Sequence, residues 1–139
     1  MTLVVPNEAE VLALAAWAGK TASATPWTLK LFSNNVTPGS GDTAATYTEV
    51  AGGGYANFNL TAASWTITAN APSSMTHPAH TFSFTGATNA PGTIYGYYIV
   101  DANNKIVVAE RLASPPFTPS VNGDSVTVTP TITLGSVSA

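Results

Sequence analysis

The chain has 139 residues, no cysteine and a formal net charge of −3. A disulfide framework and a thiolate metal site are excluded, and the four scattered basic residues Lys20, Lys30, Lys105 and Arg111 offer nucleic acid no basic patch. Charged residues make up 8% of the chain, against roughly 25% in ordinary soluble domains. Thr, Ser and Asn must therefore solvate the surface, a composition suited to a protein packed against other chains.

The length fits one domain, 1–139, able to bury roughly two-thirds of its unfolded surface. Residues 1–20 read as an N-terminal arm and helix. Residues 1–5 form a short apolar lead closed by Pro6, either an extended arm or an edge strand. Asn7 is a good N-cap, and Glu8 and Glu10 meet the positive end of the helix dipole. Val11, Leu12, Leu14, Ala15 and Trp17 follow with helical spacing, and Gly19 closes the pattern, so a helix is expected over 8–18. A helix this short must dock. The same apolar run is not a secretory signal, because no Lys or Arg precedes it. The chain is expected to be made and kept in the cytoplasm, and no stretch approaches the roughly 20 apolar residues of a membrane span.

Residues 21–26 read as a linker. Trp27, Leu29 and Leu31 alternate with Thr28 and Lys30, the mark of a strand. Residues 33–43 carry Asn34, Asn35, Pro38, Gly39 and Gly41 and form a loop long enough to project from the body. Residues 46–50 suggest a short strand. The triplet Gly52-Gly53-Gly54 marks a loop or a close approach by another chain. Tyr55, Phe58 and Leu60 indicate an extended segment, Trp65, Ile67 and Ala69 a strand, and Phe82 and Phe84 another. Between the last two, residues 71–79 with Pro72 and Pro78 read as a loop.

The most strongly patterned stretch is 92–112. Residues 94–100 and 106–112 are apolar, β-branched and aromatic, and they flank Asp-Ala-Asn-Asn-Lys. This is a hairpin, with Asn103 and Asn104 at the tip because asparagine tolerates positive φ. Residues 94–100 are apolar on both faces except at Gly96, so this strand belongs in the centre of a sheet. Three prolines exclude interior strand from 114–119, and Asn122-Gly123 makes a tight turn. Val126, Val128, Ile132 and Leu134 then alternate with threonines, and Pro130 places that strand at an edge or at a bulge. One helix and seven or eight strands without βαβ alternation indicate an all-β fold: an antiparallel β-sandwich, jelly-roll or Greek-key-like, with one short N-terminal helix.

Chemistry is sparse. His77 and His80 are spaced for a shared metal, but no other donor lies nearby in sequence, and they read as surface loop histidines. Asp42 and Glu49 are the only carboxylates resembling a glycosidase pair. Asp42, Asp101 and Asp124 sit where turn capping explains them. Glu110 beside Arg111 reads as a solvated or self-paired strand edge. There is no nucleophile elbow, phosphate-binding loop or dinucleotide fingerprint. No catalytic residue, metal ligand or cofactor is assigned, and the chain is not expected to be an enzyme. Trp27 and Trp65 share parity with aliphatic neighbours and read as core. Tyr55 and Tyr97 are the tyrosines most suited to an interface or a sugar platform.

Several stretches together carry a resemblance. They are Val4-Val5-Pro6-Asn7 before a helix, Trp27-Thr-Leu-Lys-Leu-Phe-Ser-Asn-Asn-Val-Thr-Pro38, Thr46-Tyr-Thr-Glu49, Ser64-Trp-Thr66, Ile94-Tyr-Gly-Tyr-Tyr-Ile-Val100, and Asn122-Gly-Asp-Ser-Val-Thr-Val-Thr-Pro-Thr-Ile-Thr-Leu134. The chain resembles small virion structural proteins of tailed bacteriophages. The resemblance implies a capsid cement or decoration protein on the outer capsid surface, with the major capsid protein and its own copies, as a homotrimer, for partners. It implies neither nucleic acid nor membrane as partner. A tail or head-fibre module binding a host glycan is the alternative. Arms and loops would make the contacts, so the expected interface residues are Leu3, Val4, Val5, Leu12, Trp17, Asn34, Asn35, Val36, Tyr55 and Tyr97.

Overall fold

The computed structural model of the chain describes residues 3–20, 23–69 and 72–134. Helix α1 spans Asn7–Trp17. Nine strands follow: β1 Trp27–Phe32, β2 Phe58–Leu60, β3 Thr66–Thr68, β4 Ser73–Thr76, β5 His80–Ser83, β6 Gly96–Val100, β7 Ile106–Arg111, β8 Ser125–Val128 and β9 Thr131–Leu134. The fold is all-β with antiparallel pairing throughout and a single short helix. Met1 and Thr2 of the expected arm, Thr21 and Ala22 of the linker and Ala71 of the expected loop lie outside the described residues.

One layer has the order β2-β1-β6-β7. Its centre is β6, where all five residues are buried, as the two-faced apolar pattern of this segment requires. Tyr97 and Ile99 face the core between the layers, and Tyr98 and Val100 face a second apolar cluster with Phe32, Tyr47 and Ile106. Gly96 pairs with Phe32 across the ladder, and the Phe32 ring occupies the space a Cβ would need.

The other layer joins β3-β4-β9 and β5-β8. β4 and β5 are consecutive parts of one arm, and β8 and β9 of its partner. Thr76 pairs with Thr131 and His80 with Val128, so residues 77–79 oppose residues 129–130. That one-residue excess is a bulge. Pro78 and Pro130 sit inside it, where neither must donate a ladder hydrogen bond, and His77 N–H still reaches the Pro130 carbonyl at 2.9 Å. Phe82, Phe84, Val126, Val128 and Ile132 pack from this layer onto Leu29, Leu31 and Ile99 of the first.

Several expectations need correction. Pro6, not Asn7, is the N-cap of α1. The Pro6 carbonyl accepts from Ala9 and Glu10, and the Asn7 N–H donates to the Ser40 carbonyl at 2.8 Å. At the other end Gly19 has φ +68° and donates to Ala16 while Lys20 donates to Ala15, the Schellman closure. Residues 73–76, expected as loop, form β4, because β3 and β9 pair with both of its edges. Residues 46–50 make no strand, only a 3-10 turn at Ala44–Thr46 and an isolated bridge from Phe32 to Glu49. The glycine triplet is closely approached by its own chain: added Cβ atoms would clash with residues 85–89.

The arm and loop expected to project are both folded down. Val4 pairs with Ala109 through two backbone hydrogen bonds, capping the β7 edge, and Leu3 and Val5 pack on the core. Loop 33–43 is held to the body by Arg111, which donates to the Asn35 side chain and the Val36 carbonyl. Asn34 holds it from its base, donating to the Thr46 carbonyl and accepting from the Thr48 N–H.

Candidate interaction surface

The sequence of α1 has carboxylates in its first turn and nothing but apolar side chains from residue 11 to its end. Glu8 anchors it. Its carboxylate meets Lys105 Nζ at 3.1 Å and accepts from the Ile106 N–H at 3.1 Å, tying the helix start to the β6–β7 turn. Ala9, Leu12, Ala13 and Ala16 recur at helical spacing on one face. With Val5, Trp27, Val107, Met75 and Ile132 they line an open apolar cleft of about 420 Å³. Three of these four helix positions are alanine, too small to fill it.

The opposite side of α1 is also apolar, with Val11, Leu14 and Trp17 exposed, Trp17 at 72%. A helix apolar on all sides is one that is buried; here only one side is covered. Across the cleft mouth stand Ile67, 77% exposed, and Leu134. Ile67, expected in the core, is thus exposed, as are Thr66 and Thr68: β3 is an edge strand of the second layer. Glu10, in the first turn of α1, and Lys20, just past its end, are exposed. The ion pairs among the described residues, Lys30–Glu49 and Lys105–Glu8, involve neither.

Comparison with family models, curated proteins and solved structures yields no match.

The expected interface residues divide into three groups. Leu12, Trp17 and Val5 lie on or beside the cleft and helix. Leu3, Val4, Asn34, Asn35 and Val36 are spent on contacts within the chain. Tyr97 is a core residue, 6% exposed, and donates to Glu110, while Tyr55 is partly buried against the core, stacks on Phe82 and donates to Glu49. Burial pushes both phenols well above the ordinary tyrosine value. Val11, Leu14, Ile67 and Leu134 were not expected; the lack of any polar residue from 11 to 18 was the available signal for the first two.

The titratable groups are likewise dispersed. Asp42 accepts from the Gly39 N–H at 2.7 Å and the Tyr47 hydroxyl at 2.6 Å, capping its own loop. Glu49 is bound by Lys30 at 2.9 Å, Asn57 and Tyr55. Burial alone would raise its carboxyl, but Asn57, Lys30 and Tyr55 together hold it below the ordinary carboxylate value. These two acids therefore serve separate networks. Asp101 and Asp124 cap turns, Asp101 by accepting from the Asn103 and Lys105 N–H groups and Asp124 from Ser120 and Val121. Glu110 and Arg111 are half-buried at the strand end and engaged by Tyr97, Asn35 and Val36.

The histidines are not on a surface loop. His77 is 5% exposed, edge-on to Trp65 and Phe58. His80 stacks on Phe58 with centroids 3.8 Å apart, and burial and then His77 push its imidazole below the usual value. His77 Nδ1 lies 3.0 Å from the Pro78 carbonyl and Nε2 has no hydrogen-bond partner. Among the described residues no three His, Cys, Asp or Glu side chains gather as metal donors, and no helix is long and apolar enough to cross a membrane.

Proposed function

We propose that the chain is a tailed-phage capsid cement protein that binds the outer capsid surface, stabilises the shell and works as a homotrimer. It is made in the cytoplasm of the host bacterium and ends in the virion, with the major capsid protein and its own copies as partners. One observation carries the reading: in a chain with only 8% charged residues, five of the six exposed large apolar side chains among the described residues lie on α1 or at the rim of the cleft. Such concentration marks a surface that another protein covers. The antiparallel all-β body suits a part that holds position on a shell, and the resemblance of the sequence stretches points the same way. The glycan-binding alternative loses support with the burial of Tyr97 and the packing of the Tyr55 ring on Phe82.

Shells assembled from the major capsid protein encoded in the same genome test the proposal. Adding the purified chain should raise the temperature at which the shells scatter less light and fall apart. Shells that disassemble at the same temperature with and without it would overturn the proposal.

A further inference from the structure

We infer that the face formed by the outer side of α1 and the mouth of the apolar cleft is where a second copy of this chain docks. Among the described residues, the exposed large apolar side chains are Val11, Leu14, Trp17, Ile67, Leu134 and Val121. The first five belong to α1 or the cleft rim; Val121 alone lies elsewhere, in the turn before β8. Together the five expose on the order of 600 Å², against the roughly 800 Å² per partner of a standard stable interface. The face is thus close to a whole protein–protein contact in size.

The geometry selects the kind of occupant. A small apolar ligand in the cleft would touch Leu12, Ala13 and Ala16 and leave Val11 and Leu14 on the far side of the helix in water. Only a macromolecule covers both. Charge selects the partner further. Glu10 and Lys20 flank the ridge, opposite in sign, exposed and outside the ion pairs of the described residues. Around an axis of three copies, Glu10 of each copy meets Lys20 of the next head to tail, so the ring satisfies itself without any further charge. Electrostatic matching of this kind fixes register and discriminates against wrong partners more than it adds affinity.

The inference deepens the cement reading and rests on it only for the number of copies, three around one axis. It is tested on the purified full chain without capsids, by light scattering coupled to size exclusion and by sedimentation velocity. The wild type should run as a discrete oligomer. The double variant Leu14→Asp, Trp17→Asp should run as a monomer with an unchanged far-ultraviolet spectrum, since both side chains are exposed. Glu10→Lys should weaken association by roughly tenfold, as like charges brought together do. The reciprocal variant Glu10→Lys, Lys20→Glu should restore it, which only a self-contact does.

A wild type that is monomeric at every concentration overturns the inference. So does an oligomer that Leu14→Asp, Trp17→Asp leaves intact. A monomer that binds shells and loses that binding in the double variant assigns the face to the shell and also overturns it. A chain that self-associates through α1 yet ignores shells overturns the cement reading and leaves this inference standing.

Discussion

Gly96→Ala puts the packing of the central strand to a direct test, because two physical effects predict opposite signs. Replacing glycine inside a strand normally gains about 0.5–1 kcal/mol through lost freedom of the unfolded chain. At Gly96 an added Cβ would sit 2.2 Å from the Glu110 carbonyl oxygen and 2.6 Å from Cε1 and Cζ of Phe32. Contact distances for such atoms are roughly 3.5 Å. The Phe32 ring is itself fully buried, and the carbonyl belongs to β7, which pairs with β6 at this position. Neither can retreat without opening core or ladder. Overpacking of this kind costs about 1–3 kcal/mol, and a backbone clash lies at the upper end. The clash wins, for a net loss of about 2 kcal/mol, or roughly 8 °C in melting temperature for a domain of this size. Urea denaturation and calorimetry on both proteins measure it. Adding Phe32→Leu should recover about 1 kcal/mol of the sum of the two single losses, since it removes the ring part of the clash. A Gly96→Ala protein that melts at or above the wild type would refute the reasoning.

Asp101→Ala should cost about 3 kcal/mol in urea denaturation, because this buried carboxylate accepts from Asn103, Lys105 and Ala24 and ties the hairpin turn to the segment before β1; a loss under about 1 kcal/mol would show that water replaces those bonds. Glu49, with its folded pKa depressed, contributes stability that is present above its unfolded value of 4.5 and lost as pH falls through the folded one. Glu49→Gln should therefore flatten the acid limb of a stability–pH curve, and an unchanged limb would contradict the Lys30 and Asn57 assignment. His80 is also depressed, so the unfolded chain takes up a proton first as pH falls below 6.5 and stability declines over that window. His80→Phe keeps a ring on Phe58 and should remove the decline, measured by melting temperature from neutral to mildly acidic buffer.

How much the sequence reveals depends on whether a residue's surroundings are local. The β6–β7 hairpin is legible because two apolar, β-branched and aromatic runs, 94–100 and 106–112, flank a polar turn, and Asn104 takes the positive φ expected of it. The break between β8 and β9 is legible because Pro130 cannot donate. β4 is not, since Ser73, Ser74 and Thr76 carry no periodic signal and become a strand only because β3 and β9 supply partners distant in sequence. The same limit governs the candidate surface. Trp17 reads as interface from its place in an apolar helix. Ile67 looks like core by parity, yet it lies on the edge strand β3, all of which is exposed. Tyr97 looks available on the face it shares with Tyr95, yet it packs into the core cluster. The histidines were misplaced for a similar reason: the residues that bury His77, Phe58 and Trp65, come from segments before β4.

Sedimentation of the purified chain with capsid shells that lack it tests the central claim most directly. The account predicts saturable co-sedimentation at a fixed number of copies per shell, in multiples of three. A chain that stays at the top of the gradient at every concentration would contradict it.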